Sequence, residues 1–457
     1  MIDKIIKALQ SQPVSDYLLR DVQKETVELF FIKKNLDMRR AENVRDCSVT
    51  VYRDFEKEGR SCRGEASFTV GPSFSEEEIS EKCKKAYLSA GFVANPHYEL
   101  PSGKKIDRVT VESDLAGMPL DEAAGRMVQA LFAPEQSEND LSRGVSASQP
   151  DPSFVVKSES QDNSRAFLNS AELFVEKTTC HIVNSRGVDV SYVKYNVNGE
   201  LVAQCKNPQD VETYEHFSYD TLDTVGLSAL VERTLRMTED RALASAMPAT
   251  GVYDVLLSDE YAAEIFRFYL ERGAGDMIYQ HMSDYQVGDF VQGAPGEVTG
   301  PLLNLDYVPT VPYSYEGLSM VTLPCMVDGV FRNIHASARF CEYLGVKATG
   351  RYTKLSCPSG DTDFEEMKKH PGLYVVNFSD FQMNSLSGNF GGEIRLAYLN
   401  DGKTITPVTG GSVNGSIFEA QKDFVFSRET QDLPAFRGPK AILLKGVAVA
   451  GAEGSPA

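Results

Sequence analysis

Residues Gly251–Leu257 (GVYDVLL) read as a strand that runs straight into a helix over Ser258–Gly273 (SDEYAAEIFRFYLERG). That helix is apolar nearly all round. A helix with one apolar stripe lies on a surface; one whose Tyr261, Phe266, Phe268 and Tyr269 occupy more than one face must be covered on both sides. The element therefore belongs between a sheet and a second layer or a partner, and its aromatics are read as packing rather than ligand contacts. Ser258 stands at the N-cap position, Asp259 and Glu260 suit the positive end of the helix dipole, and Gly273 is placed to close the helix.

With 457 residues the chain exceeds one ordinary core, and about two or three domains are expected. An apolar fraction of 42% with 24% charged residues places it among soluble globular proteins. No window approaches a membrane span, and the opening MIDKIIKALQSQPVSDYLLRD mixes charge into its apolar positions, so neither a signal peptide nor an anchor is expected. The eight cysteines form no CxxC pair, which suits reduced thiols in a cytoplasm. A formal net charge of −19 repels phosphate backbones, so direct nucleic-acid binding is not expected.

Along the chain the patterns predict a helix over Ile2–Gln10, a second over Asp16–Val27, and strands over Val27–Ile32, Cys47–Phe55 and Ser61–Val70. A helix over Ser75–Ala90 is signalled by a Ser75/Glu78 capping box, with Ile79, Cys83, Ala86 and Tyr87 on its apolar face. Residues 134–163 are rich in Ser, Glu, Asp, Gln and Pro and read as a long surface connection, with FVVKSE inside it as a candidate strand. Asn198-Gly199 reads as the turn of a hairpin between Val188–Val197 and Glu200–Cys205. Thr221–Leu243 reads as an amphipathic helix presenting Leu227, Leu230, Val231, Thr234 and Leu235. Pro248 and Gly251 then punctuate a boundary, giving domains 1–247 and 248–457. The second half is mostly strand, with hairpin turns at Asp328-Gly329 and Asn400-Asp401-Gly402 and a short acidic helix near Asp361–Lys369. The fold class is α+β: an N-terminal helix-and-sheet domain followed by a mainly antiparallel β C-terminal domain.

The chemistry-bearing residues make no familiar constellation. Zinc needs several N, S or O ligands at short spacing, yet the six histidines never form a short pair. Cys180 and His181 are adjacent and face opposite sides of a strand; His335 and Cys341 are the nearest mixed pair and read as ordinary hydrogen-bonded or buried residues. Gly410-Gly411-Ser412-Val413-Asn414 lacks the last glycine of a nucleophile elbow and reads as a turn between strands. Ser387-Gly388-Asn389-Phe390-Gly391-Gly392 has no lysine for a phosphate loop and reads as a backbone bend or a close approach of chains. Cys325 and Cys341 lie in apolar surroundings and read as structural thiols.

Five segments resemble one family in its order along the chain: CRGEASFTVGPSFSEEEISEKCKKAYLSA (Cys62–Ala90), IVNSRGVDVSY (Ile182–Tyr192), PATGVYDVLLSDEYAAEIF (Pro248–Phe266), the stretch Tyr313–Tyr352, and the stretch Gly372–Asp423. The pattern resembles the TldD/PmbA family, whose members have been called modulators of DNA gyrase and are regarded as metallopeptidase subunits. In its TldD type a helix after such a strand carries HExxxH, and a cysteine near the C-terminus completes a zinc site. Here Ala263 and Phe268 stand at the two histidine positions and only Glu264 remains, no cysteine follows Cys357, and the tail Leu433–Gly451 ends as the PmbA type does. Thr349-Gly350-Arg351 and Asn389 also depart from the family's Thr-Gly-Asn and aspartate.

The resemblance therefore implies a non-catalytic TldE/PmbA-like subunit of a cytoplasmic metallopeptidase complex. Zinc is expected only in a TldD-type partner, and this chain is expected to help bind and enclose unfolded or extended peptides. Glu264, without a metal, reads as part of a solvated helix face. Ser387, Gly388, Asn389 and Phe390 are the candidate peptide or partner contacts. A self-contained peptidase with an unrecognised site and a homodimeric peptide-binding protein are the alternatives; any effect on gyrase is expected to be indirect.

Overall fold

The computed structural model describes residues 1–103, 105–143, 165–246 and 250–451. It is an α+β molecule in which strand outweighs helix, 44% against 23%, so the sheets decide its shape. An eight-stranded sheet takes its strands from Asp16–Ile32 through Val211–Tyr219. A second eight-stranded sheet and a third of six short strands are built from Ser245–Ala246 onward.

The centre of the first sheet corrects one expectation. Residues 16–27 are not a helix but the start of the Asp16–Ile32 strand, which pairs antiparallel with Asn35–Lys57 on one side and Phe167–Asn184 on the other. Pairing on both edges and alternation of Leu19, Val27, Leu29 and Phe31 onto one face override the weak strand propensity of its polar residues. That face is covered by helices. Ile2–Gln10 and Glu76–Ala90 pack over Leu19, Val49 and Val51, and Leu120–Arg143 and Thr224–Leu243 over Val27, Leu29 and Leu173. The Ser75/Glu78 capping box forms as read.

Two further readings are corrected here. The Leu120–Arg143 helix continues through residues 134–143, the start of the supposed connection. Its stripe of Ala123, Ala124, Met127 and Leu131 is already buried, and propagating an established helix past Pro134 forfeits only a local hydrogen bond. The candidate strand FVVKSE and Pro248 lie outside the described residues. Asn198-Gly199 is no turn: it sits inside the continuous Asp189–Cys205 strand, where Gly199 faces Leu173 on one neighbour and Phe217 on the other. Glycine is needed for close approach, since a Cβ there would lie 2.1 Å from the Glu172 carbonyl oxygen.

In the second sheet five strands close a ring. Gly251–Ser258 pairs parallel with Gly372–Met383 and antiparallel with Ala441–Ala450; the latter joins Ser412–Ser416, then Asn389–Asn400, which returns to Gly372–Met383. The Asp259–Arg272 helix lies between this barrel and the third sheet, so the all-round apolar helix is covered on both sides as its composition requires. Phe266 stacks on Phe436 of the third sheet with ring centroids 4.4 Å apart, while Tyr261 meets Phe378 of the barrel at 4.8 Å. Hairpin turns at Asp328-Gly329, both at positive φ, and after Asn400 form as read, as does the short acidic helix Phe364–Lys368 capped by Asp363. Among the described residues no helix is long and apolar enough to cross a membrane.

Candidate functional site

The positions that the resemblance assigns to zinc ligands fall in the middle of the Asp259–Arg272 helix, and what surrounds them fixes what they can do. Phe268 is fully buried, its ring edge-on to Phe418 at 5.6 Å and to Tyr269 at 5.3 Å. Ala263 brings no donor atom. Glu264 is not a solvated face residue: its carboxylate accepts the Met383 backbone N–H at 3.2 Å and pairs with Arg267 at 3.2 Å. Burial pushes its carboxyl above the usual range, and those two partners draw it back only in part. Zinc requires three or four converging donors; one committed carboxylate beside a buried phenyl ring does not fit it. No step through a metal follows from these residues. Among the described residues no three His, Cys, Asp or Glu side chains gather closely enough to hold a metal ion.

The other single histidines and thiols are similarly engaged. His335 is buried with both ring nitrogens used, one against the Leu270 carbonyl at 2.9 Å and the other accepting the Tyr352 N–H at 3.0 Å. Burial depresses it to about 4, so the ring is neutral. Cys341 donates toward the Ala336 carbonyl, and burial raises its thiol as it raises that of Cys325 to about 12. Cys180 is buried while His181 turns to Asp189 at 2.7 Å, on opposite faces as the alternation requires. Gly410 and Gly411, both at positive φ, make the turn into Ser412–Ser416.

What the helix does is hold a turn. Arg267 bridges Glu264 and Glu271, and Glu271 accepts a hydrogen bond from Ser385. With the Glu264–Met383 bond, this string fixes residues 383–385 against the helix, immediately before the candidate contacts. Ser387 and Asn389 reach solvent, whereas Gly388 and Phe390 are buried. Gly388, at φ +73, leaves room for Phe418, since a Cβ would lie 2.4 Å from that ring; Gly391 and Gly392 admit the Val413 and Asp380 carbonyls of neighbouring strands. The structure thus brings the two groups of candidate residues together, with Phe418 between Phe268 and Gly388.

Beyond Asn389 and Phe390 opens a groove of about 460 Å³, lined also by Asn414, Ser416, Glu419, Lys445 and Gly446. Its floor is a gap in strand pairing. The Ala441–Ala450 strand is paired at Leu443 with Val425 and at Ala448 with Asn414, and between them residues 444–447 have no strand partner on that side. Gly446, at φ +65, bulges there and donates its N–H to Asp254 across the opposite edge at 3.0 Å. A groove floored by main chain and rimmed by Asn, Ser, Glu and Lys can hold a short extended segment by backbone hydrogen bonds. Sequence reasoning met Asn414 only as part of a turn and passed over Ser416, Glu419, Lys445 and Gly446. The one available signal was the Gly-rich run GGSVNGS, which was read as turn chemistry alone.

Behind the helix's first turn the two halves of the chain meet on charge. Ser258 does not cap the helix; its hydroxyl bonds Tyr374 at 2.9 Å and Asp259 at 2.8 Å. Asp259 instead pairs with Arg233 at 2.6 Å, and Glu215 of the first sheet lies 4.0 Å from the same guanidinium. Burial, opposed by Arg233, raises the Glu215 carboxyl from 4.5 to about 8. Its folded value lies above its unfolded one, so the folded state holds the extra proton, and the contribution to stability falls as pH rises from about 4.5 to about 8. Glu215→Gln is expected to flatten the pH dependence of Tm across that window; an unchanged profile would show that this carboxyl is already ionised there.

These features define an α+β protein whose second half is a closed barrel packed on an apolar helix, with a groove at an unpaired stretch of the barrel wall. Residues 250–451 match the family described as the PmbA/TldA metallopeptidase C-terminal domain. Comparison with curated proteins gives no match. Solved structures share the architecture over nearly the whole chain. A protein described as a candidate modulator of a DNA gyrase from Thermotoga maritima MSB8 superposes with a TM-score of 0.74 at 14% identity, over 98% of this chain and 99% of that one. TldE from Thermococcus kodakarensis gives 0.73 at 14% identity over 98% and 100%. A candidate modulator of DNA gyrase from Bacteroides thetaiotaomicron VPI-5482 gives 0.70 at 14% identity over 98% and 98%. Residues 250–451 are thus similar to the PmbA/TldA metallopeptidase C-terminal domain, and the whole chain shares its fold with these three proteins.

Proposed function

We propose that this chain is a TldE/PmbA-type subunit with no catalytic zinc of its own, which joins a TldD-type metallopeptidase subunit in the cytoplasm and helps bind and enclose unfolded or extended peptides. The observation that carries the reading is the Asp259–Arg272 helix. Phe268 stands in the apolar core where a zinc ligand would have to face solvent, and Glu264 is spent on the Met383 N–H. The groove beside Asn389 supports the peptide-binding part, because unpaired main chain recognises extended peptide with little demand on sequence. Asn389 and Phe390 line the groove, and exposed Ser387 and buried Gly388 belong to the turn that leads into it. Nothing in the reading requires contact with DNA, so a link to gyrase would run through proteolysis.

Metal analysis tests the first part. The purified chain should carry no stoichiometric zinc, and one tightly bound ion per chain would overturn the reading. Ala263→His with Phe268→His should yield no chelator-sensitive cleavage, because no cysteine follows Cys357. The phenylalanine exchange alone should cost about 3 kcal/mol for the lost core ring.

A further inference from the structure

Cations along the central strand pairs of the first sheet have carboxylates to meet. Arg40 pairs with Glu28, Arg45 with Asp21, Lys24 with Glu176 and Lys177 with Glu25. In a chain with 65 acids against 46 Lys and Arg such a partner is easily supplied. Arg20 has none. It stands in the Asp16–Ile32 strand and is only partly exposed, its Nε is buried without an acceptor, and no carboxylate oxygen of the described residues lies within 4.0 Å of its guanidinium. Asp21, next to it in the chain, faces the other side of the sheet and is held by Arg45 at 3.0 Å. Glu316 of the turn above accepts the Ala338 N–H at 2.8 Å, and Asp46 sits opposite Val22 on the next strand. The polar groups that act on the guanidinium are the Cys180 thiol and the Tyr192 and Tyr315 phenols. Burial pushes the Cys180 thiol up and the Tyr192 phenol up to about 12, so both keep their protons and neither neutralises the charge. The Tyr315 ring lies over the guanidinium with its centroid 5.0 Å away, yet Tyr315 itself is 54% exposed. The turn that carries it is seated on the first sheet through Gly317, where a Cβ would lie 2.4 Å from Val188 Cγ1.

A guanidinium taken largely out of water with no acceptor lowers the stability of the fold that holds it, and an anion brought to it removes that cost. We propose that Arg20, Tyr192 and Tyr315 form a binding site for the carboxylate of an organic monoanion, with the apolar part of that ligand lying along Val22. The class of ligand follows from the donors. A planar guanidinium fork matches a planar carboxylate, and an aromatic ring on its face leaves the N–H edge open to an oxyanion in its plane. The protonated Tyr192 phenol is a further donor beside it. One positive charge in a chain of net charge −19 suits a monoanion better than a multiply charged phosphate. The surroundings are apolar: Val22, two positions along the same face and half-buried, adjoins the cluster of Leu18, Ile182, Tyr192 and Tyr313. A free small organic acid and the C-terminal carboxylate of a peptide share this chemistry. The inference does not depend on the peptidase reading.

Titration calorimetry on the full chain tests the site with four probes: isovalerate, a short alanine peptide ending in leucine with a free C-terminus, the same peptide amidated, and inorganic phosphate. At least one of the two carboxylates should bind saturably with a Kd of about 1 mM, and the amidated peptide should not. Tighter binding of the peptide than of isovalerate assigns the site to chain termini; equal or weaker binding assigns it to free acids. Arg20→Met should weaken the carboxylate at least about tenfold, Arg20→Lys, which keeps the charge and loses the fork, by less, and Tyr192→Phe about threefold. Without ligand, Arg20→Met should melt no lower than the wild type, because it deletes donors that have no acceptor; a purely structural arginine would give a lower melting temperature. Absence of saturable carboxylate binding up to about 20 mM, equal binding of the amidated peptide, unchanged affinity in Arg20→Met, or tighter binding of phosphate than of either carboxylate would overturn the inference.

Discussion

Replacing Arg63 by alanine is expected to cost about 3–5 kcal/mol, the scale for breaking a buried ion pair. The Arg63 side chain is fully buried, donates to Asp54 at 2.7 and 2.8 Å and to Asp16 at 2.8 Å, and lies over the rings of Tyr52 and Tyr98. It links three adjacent strands of the first sheet, since Asp16, Asp54 and Arg63 each come from a different one. Burial alone would push the Asp16 carboxyl up, but hydrogen bonds from Arg186 and Ser185 and the charge of Arg63 outweigh it and hold the group below its ordinary 3.8. A depressed carboxyl adds stability that is present above 3.8 and lost as pH falls through the folded value. Urea unfolding should therefore show the wild type losing its advantage over Arg63→Ala on acidification. Removing both charges, as Arg63→Met with Asp16→Asn, should recover part of the loss. A cost below about 1 kcal/mol for Arg63→Ala would mean that Arg186 alone neutralises Asp16.

Gly199→Ala should cost about 2–3 kcal/mol. The new Cβ would meet the Glu172 carbonyl oxygen at 2.1 Å and the Phe217 ring at 2.7 Å. The first is backbone and cannot rotate away, so the strands must part. Gly125→Ala is the matched control. It lies mid-helix with nothing within 4 Å of the added atom, and should stabilise by about 0.5–1 kcal/mol. Equal effects at the two sites would contradict the close-approach account of Gly199.

Local patterns that agree with tertiary pairing were legible in the sequence. The Ser75 capping box, the Gly251–Ser258 strand feeding a helix and the Asp328-Gly329 turn each depend on neighbours in the chain. The failures came where long-range contacts decided. Asp16, Asp21 and Arg20 look misplaced in a strand until their partners Arg63, Arg45 and Tyr315 arrive from elsewhere. Asn198-Gly199 has turn chemistry, but its glycine answers to strands on both sides. At the candidate site, the missing donors at Ala263 and Phe268 were visible directly. Glu264's bond to Met383 and the gap at residues 444–447 were not, since the first joins residues 119 positions apart and the second depends on which strands meet in the closed barrel.

The most direct test of the central claim is a peptidase assay on an unfolded polypeptide, with this chain alone and mixed with a TldD-type chain from the same source, each with and without chelator. The account predicts no cleavage by this chain alone and chelator-sensitive cleavage in the mixture, with mass measurement finding both chains in one complex. Cleavage by the chain alone would contradict it and place an active site outside the residues described above.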